Sequence, residues 1–159
     1  MGIAFKVYKD GEEYISLTEH SIKNVIFDAE KETDLKPRLH TITKSLALEG
    51  FLNTDLVDEA PRPILDEYGE QVVDENEEPQ FHLREIDSVR QLANWSIIPE
   101  YCDCYCDVTV AINDASGELV KEESFECMFV VDYKETFDID HGNGLFNILI
   151  REREIVEVV

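Results

Sequence analysis

Cationic side chains are scarce in this sequence. Its 159 residues include 14 lysines and arginines against 36 aspartates and glutamates, a formal net charge of −22. Because lysine and arginine supply the affinity for phosphate backbones and for anionic lipid surfaces, this balance disfavours both kinds of partner. The acidic excess favours solubility, and the alternative is a surface that repels polyanions or acidic cargo.

Long apolar runs are also missing. No segment approaches the roughly 20 apolar residues of a membrane span. The opening segment MGIAFKVYKDGEEY lacks the apolar stretch of a signal peptide. The sixth position is Lys6, where myristoylation requires Ser or Thr. We therefore expect no membrane insertion, no export signal and synthesis in the cytoplasm.

Catalytic signatures are absent as well. No serine lies in a G-x-S-x-G setting, and neither glycine-rich phosphate-binding pattern occurs. Acidic residues are so abundant that carboxylate pairs arise by chance, and solvated carboxylates explain them. We expect no enzyme and no cofactor. The histidines are scattered without a metal-binding spacing and are His20, His40, His82 and His141.

The cysteine cluster Cys102, Cys104 and Cys106 is the strongest candidate for chemistry, with Cys127 further along the chain. Paired zinc cysteines usually lie two to four residues apart, with a second ligand pair at a distance. Here only one residue, and not two to four, lies between neighbouring cysteines, which matches the strand period of two and continues the apolar face of the valines that follow. Since a cysteine without a disulfide packs like a small hydrophobe, the pattern predicts core packing. A metal site or a reactive thiol on these three residues is the alternative.

The segment DIDHGNG, residues 138–144, resembles the beginning of a calcium-binding loop. Such loops need a ligand at position 5, glycine at position 6 and glutamate at position 12. Counted from Asp138, those positions hold Gly142, Asn143 and Leu149. A tight turn between two strands explains the glycines and the asparagine better, and no metal is expected.

Alternating apolar residues predict a mainly antiparallel β fold in one domain, residues 1–159. A hairpin is expected around the turn Asp10-Gly11, and a charged loop over Lys31–Leu39. An acidic insertion covers residues 55–80, in which a short hairpin is possible, and no internal repeat is evident. The remaining strands are expected at Ile22–Phe27, Thr41–Leu48, Asp107–Ile112, Phe125–Tyr133 and Leu145–Arg151, with a polar connection over Lys134–Gly144.

One helix is expected over Arg84–Ile98. Ile86, Val89, Ala93 and Ile97 recur at helical spacing, with Leu92 beside them. Asp87 or Ser88 could cap its start and Pro99 ends it, while Trp95 is predicted to anchor the core. The fold class is thus an antiparallel β-barrel or two-sheet sandwich with one packed α-helix.

Nearly the whole chain outside the insertion resembles the tube proteins of contractile injection systems, the haemolysin-coregulated protein (Hcp) family. The helix ending at Trp95 and Pro99 precedes a strand, the segment FECMFVVDYKETF (residues 125–137) and the last strand GLFNILI (residues 144–150). Upstream, Phe5–Leu17 resembles the first hairpin of that family. The segment AEKETDLKP (residues 29–37) resembles the extended loop, which in the family contacts the neighbouring ring.

The resemblance implies a structural subunit that forms hexameric rings, stacked into the hollow inner tube of a type VI secretion-like or phage tail-like machine. Implied partners are other copies, a sheath protein, spike and baseplate proteins, and effector cargo, with ejection of the tube from the cell. The DYKETF segment is expected to orient a corner of the barrel. The excess acid is expected to line the lumen or the exterior in part. The implied ring-stacking residues are Lys31, Glu32, Thr33, Asp34, Leu35, Lys36, Pro37 and Arg38.

Two other roles in the same kind of machine remain open as alternatives. The first is a ring-forming effector carrier or adaptor, and the second is a baseplate component, which the acidic insertion keeps possible. A metal- or thiol-dependent protein that uses the cysteine cluster is the alternative from another class.

Overall fold

The computed structural model describes residues 1–33, 39–52, 63–80, 85–99, 103–153 and 155–158. Its strands form one antiparallel sheet in the order β2-β1-β5-β6-β7-β4-β3, with β8 also paired to β4. The expected class, mainly antiparallel β with a packed helix, is confirmed. The elements are β1 Gly2–Lys9, β2 Glu12–Thr18, β3 Ile22–Thr33, β4 Leu39–Phe51, α1 Glu85–Ser96, β5 Cys106–Asn113, β6 Leu119–Asp138, β7 Asn143–Glu152 and β8 Ile155–Val158.

The sheet has two halves that share β6. Residues 119–128 of β6 pair with β5, and residues 128–138 pair with β7. The change of partner coincides with a positive φ of 54° at Cys127 and an irregular register between Val130 and Asp132. Such bulges bend a strand, so β6 turns the corner between the halves. The first half is therefore β2, β1, β5 and the start of β6, and the second half is the end of β6, β7, β4 and β3.

Both halves bury their inner faces in one core. Alternate residues of each strand point inward, as a strand period of two requires. Side chains from β3 and β6 also meet across the fold, where the Phe27 and Phe125 rings stack with centroids 6.5 Å apart. The expected two sheets are thus two halves of one folded sheet. Its buried strand residues include Phe5, Val7, Ile15, Leu17, Leu46, Leu48, Val108, Val110, Phe125, Met128, Phe146, Ile148 and Ile150.

Gly50 marks the tightest approach inside the second half. A methyl group at this position would overlap the Ser21 carbonyl oxygen and the ring of Phe146. Glycine is therefore required here by the close packing of β4 on the turn before β3, since backbone and a buried ring cannot give way.

The expected helix is confirmed, although its buried face differs from the predicted one. Glu85, Ser88, Val89, Leu92 and Trp95 are its buried residues. The helix ends at Ser96. Ile97, the last residue of the predicted apolar stripe, therefore lies in the turn after the helix, and its side chain is 77% exposed. The predicted caps Asp87 and Ser88 lie inside the first turn rather than before it.

Two predicted connections are wrong in part, because their flanking strands are longer. β3 continues to Thr33 and β4 begins at Leu39, so only residues 34–38 of the predicted loop remain, outside the described residues. β6 continues to Asp138, so Lys134–Asp138 is strand rather than connection. The DYKETF segment therefore lies along β6, directly after the corner that it was expected to orient. Cross-strand pairing overrides the weak β-propensity of these charged stretches.

The described part of the insertion contains an internal repeat that the sequence interpretation missed. ILDEYGEQ (residues 64–71) and VVDENEEP (residues 72–79) repeat with a period of eight residues. In each repeat the aspartate carboxylate accepts the amides two and four residues later, at 2.8–3.0 Å. The amides of Ile64, Val72 and Gln80 donate to the carbonyls of Gln80, Ile64 and Val72, each at 2.9 Å. We call Ile64–Gln80 the turn repeat.

The β5–β6 connection uses the same turn chemistry. The Asp114 carboxylate accepts the amides of Ser116 and Glu118 at 2.9 and 3.0 Å. It also accepts the Ser116 hydroxyl at 2.6 Å, and these donors hold the pKa of Asp114 below its ordinary value. The carboxylate of Asp114 thus holds the connection between β5 and β6 as a tight turn. No helix within the described ranges is long and apolar enough to cross a membrane.

Candidate assembly interface

The outer edge of β2 is covered by α1. The amide of Ser16 donates to the Ser88 hydroxyl oxygen at 2.9 Å. The amide of Thr18 donates to Glu85 Oε1, which also accepts the Thr18 hydroxyl at 2.7 Å. Two helix side chains therefore take the place of a neighbouring strand, which is one way proteins protect a sheet edge from further pairing.

Trp95 holds the helix in this position. Its side chain is 1% exposed and its indole N–H donates to the Cys104 carbonyl oxygen at 2.8 Å. This bond ties the end of α1 to the segment that leads into β5. Trp95 is thus the core anchor that the sequence predicted.

The second half presents two long open edges, in addition to the short strand β8, which pairs with β4 alone among the described strands. β3 is the last strand in the sheet order and has one strand neighbour among the described strands, β4. In β6, the register with β5 reaches only Met128, so residues 129–138 pair with β7 alone within the described part of the chain. Each edge therefore offers unpaired backbone donors and acceptors to another strand.

The direction of individual amides follows from one hydrogen bond. The Leu52 amide donates to the Gly144 carbonyl at 2.9 Å, which continues the ladder of β4 and β7. Antiparallel ladders alternate between bonded and non-bonded pairs. The same alternation extends through the register of β4 with β3 and that of β7 with β6. As a result, every second amide of each edge strand points outward. The outward amides are those of Val25, Phe27 and Ala29 on β3, and of Tyr133, Glu135 and Phe137 on β6.

The two open edges also match in direction. Each neighbour in the second half is antiparallel to the next, so β3 runs opposite to the end of β6. A second copy in the same orientation can therefore place its β6 edge beside β3 and continue the antiparallel pattern. The contact joins two different surfaces of the chain, which is a heterologous interface.

The outer face of the second half carries charges of both signs. Its acidic residues include Asp28, Glu49 and Asp132, and its basic residues include Lys134 and Arg151. The ammonium of Lys23 lies 3.7 Å from a Glu49 oxygen. The turn repeat, by contrast, has seven acidic residues and no basic one. Where the remaining acid lies in an assembly stays a prediction. The uncharged side chains of this face include Asn24, Ile26, Ser45, Ala47, Asn147 and Leu149.

The predicted ring-stacking residues lie only partly within the described strands. Residues 31–33 are the last of β3 and pair with residues 42–40 of β4. Asp34, Leu35, Lys36, Pro37 and Arg38 lie outside the described residues. Their contact with another ring stays a prediction.

Core packing is confirmed for two of the clustered cysteines. Cys104 and Cys106 are buried, and Cys102 lies outside the described residues. Burial raises the pKa of the Cys106 thiol to about 11, so little thiolate forms near neutral pH. Cys127 is exposed at the corner of β6. Among the described residues, no three His, Cys, Asp or Glu side chains group in a way that could hold a metal ion.

The calcium-like segment is the turn between β6 and β7, as its glycines predicted. Gly142 has a φ of 68°, a conformation that glycine adopts without strain. The Asp138 carboxylate lies 2.8 Å from Nδ1 of His141 and accepts the His141 amide at 3.3 Å. The turn's own residues thus occupy this carboxylate.

The folded sheet, its covered edge and its two open edges together define a β protein whose described surface is suited to strand addition. Among solved structures, the chain is similar to Hcp1 from Flavobacterium johnsoniae. The likeness covers 98% of this chain and 94% of that one, with 16% sequence identity and a TM-score of 0.47. No protein-family model matches the chain, and no curated protein matches it in sequence.

Proposed function

We propose that this chain is a structural subunit that assembles head to tail by adding the β6 edge of one copy to the β3 edge of the next. The observation that carries the proposal is the pair of open, antiparallel-compatible edges in the second half. Main-chain hydrogen bonds would supply the affinity, as in other strand-addition complexes. A heterologous contact of this kind produces a closed ring when repeating the rotation from one copy to the next leads back to the first copy.

The sequence resemblance supports the finer form of the proposal. The rings are hexamers stacked into the inner tube of a contractile injection system, with a sheath outside and a spike or baseplate at the end. Lys31–Arg38 contact the neighbouring ring, and effector cargo passes through the lumen. The sheet edges and the absence of a catalytic pattern in the sequence agree with a non-enzymatic role.

Two proline variants test the edges separately. Ala29→Pro removes an outward amide of β3, and Glu135→Pro removes one of β6, while the amides that bond β4 and β7 remain. Both side chains are exposed, so the monomer should keep its unfolding midpoint to within a few degrees. We expect each variant to stay monomeric in sedimentation velocity, where the parent chain forms rings or tubes visible by negative-stain electron microscopy. Ala29→Ser and Glu135→Gln keep the amide and serve as controls.

Mixing the two variants sharpens the test. The Ala29→Pro copy retains an open β6 edge, and the Glu135→Pro copy retains an open β3 edge. An equimolar mixture should therefore form heterodimers and nothing larger. If Ala29→Pro alone dimerises and adding Glu135→Pro to the same chain abolishes the dimer, β6 pairs with itself and the head-to-tail arrangement is wrong. Rings formed by both variants as readily as by the parent would overturn the strand-addition proposal.

A further inference from the structure

The two halves of the sheet leave an apolar groove where β3 passes the first half without pairing to it. Its volume is about 430 Å³. We call it the seam groove. Lys23 and Lys121 lie among its lining residues, and Glu19 is the one acidic residue there. Its apolar lining includes Ile3, Val25, Phe27, Ile112 and Val120.

The cations of the seam groove are available to an acidic partner. Lys121 lies 4.8 Å from the centroid of the Phe27 ring and 2.9 Å from a Glu123 oxygen. Lys23 lies 3.7 Å from Glu49. Exposed pairs of this kind contribute little to stability, so an incoming carboxylate can replace either glutamate at little cost. In a chain of net charge −22, a groove whose lining holds more cations than acids is a distinctive surface.

The turn repeat has the complementary chemistry. Its seven carboxylates surround exposed apolar side chains, of which Leu65, Tyr68 and Val73 are 54%, 83% and 51% exposed. Its internal hydrogen bonds fix the backbone of the two turns, so little backbone conformational entropy is lost on docking. Tyrosine brings a large apolar ring with a polar end, which suits an apolar groove rimmed by lysine.

We infer that the seam groove of one copy binds the turn repeat of a neighbouring copy. The turn repeat of the same chain contributes no residue to the groove lining, and its apolar side chains are exposed in the single chain. The inference rests on the proposed self-assembly, which brings copies side by side. It assigns the insertion a role as a second contact between copies.

Photo-crosslinking identifies the occupant directly. The full chain carries benzoylphenylalanine in place of Tyr68, and equal amounts of ¹⁴N- and ¹⁵N-labelled protein are mixed and assembled. Irradiation should yield mixed-isotope peptides that join residue 68 to one of the segments that line the groove, 1–3, 22–27 or 112–121. The same probe at Ile139, which is 86% exposed on the β6–β7 turn, should give none of these products. Crosslinks within one copy only, crosslinks to other segments, or no crosslinks would each overturn the inference.

Charge reversal tests the complementarity. Lys23→Glu with Lys121→Glu should lower the yield of the mixed-isotope product about tenfold. Glu67→Lys with Glu75→Lys, at equivalent positions of the two repeats, should restore it when combined with the reversed groove. An unchanged yield in the reversed groove, or no recovery in the combined variant, would contradict a charge-matched contact.

The same experiment separates this inference from the proposed strand addition. Rings on the grid with no product between the turn repeat and the groove would refute the inference and leave strand addition standing. Mixed-isotope products from the concentrated Ala29→Pro variant, together with a parent chain that forms no rings, would refute strand addition and leave the groove contact standing.

Discussion

The two halves of the sheet treat their edges in opposite ways. The first half ends at β2, where Glu85 and Ser88 of α1 accept outward amides that a neighbouring strand would otherwise take. The second half ends in two edges without a strand partner among the described strands, β3 on one side and residues 129–138 of β6 on the other. One fold therefore combines a protected edge with two accessible ones.

This contrast between covered and open sheet edges shows how the fold can limit which edges other copies pair with. If every edge were open, copies could pair in several ways and form irregular aggregates. Covering β2 removes one competing edge, and the two long edges of the second half are compatible with one another in direction. The helix thus contributes to specificity as well as to the core, a role for a packed element that its apolar face alone does not indicate.

The largest effect on this contrast is expected from removing the helix anchor. Trp95→Ala deletes a side chain that is 1% exposed together with its bond to the Cys104 carbonyl. We expect the free energy of unfolding to fall by about 3–5 kcal/mol. Loosening α1 should also expose β2, so the variant should form irregular oligomers. Urea unfolding and sedimentation velocity measure the two effects, and Trp95→Phe, which keeps the ring bulk, should lose clearly less. A fall as large in Trp95→Phe would assign the effect to the N–H rather than to packing.

A smaller effect is expected from uncovering the edge directly. Glu85→Ala removes the acceptor of both the amide and the hydroxyl of Thr18 in a buried setting. The free energy of unfolding should fall by about 1–3 kcal/mol, because a buried N–H loses its partner. Glu85→Gln retains a carbonyl oxygen and should recover part of the loss. If Glu85→Ala unfolds at the parent urea midpoint and stays free of irregular oligomers, α1 does not protect β2 through this carboxylate.

The smallest effect concerns alkaline stability of the first half. Burial raises the pKa of Cys106 from 9.0 to about 11, so folding favours the neutral thiol. This contribution to stability is complete below pH 9.0 and is lost as the pH rises toward about 11. Urea midpoints between pH 8 and 11 should therefore decline less steeply in Cys106→Ala than in the parent chain. Burial and the hydrogen bond to Glu135 raise the pKa of Tyr133 in the second half, and that decline should persist in the variant. Identical slopes would exclude a role for the thiol.

The core and the strand directions could be predicted from the sequence, because a period of two forces alternate residues to one face. Cys104 and Cys106 were placed correctly by this rule alone, and so was the turn at Gly142 by its residue types. The helix was found from its spacing. Its buried face was predicted incorrectly because Glu85 and Ser88 are polar. These two side chains are buried because they accept hydrogen bonds from backbone amides of β2.

The candidate interface could be predicted only in outline. Whether an edge is open depends on which strand lies beside it, and that is set by long-range pairing and by the corner at Cys127. No local signal reports the loss of the β5 neighbour after Met128. The turn repeat is a different case, because its eight-residue period is visible in the sequence and could have been found by comparing the segments around Asp66 and Asp74.

The number of strands in the second half has a consequence for polarity. The second half has four antiparallel strands, so its first and last strands run in opposite directions. Neighbouring copies can therefore pair edge to edge in the same orientation, without one of them being turned upside down. A ring built in this way has two unlike faces, one of which carries every β3–β4 hairpin tip. Rings of this kind that stack front to rear would give the assembly distinguishable front and rear ends.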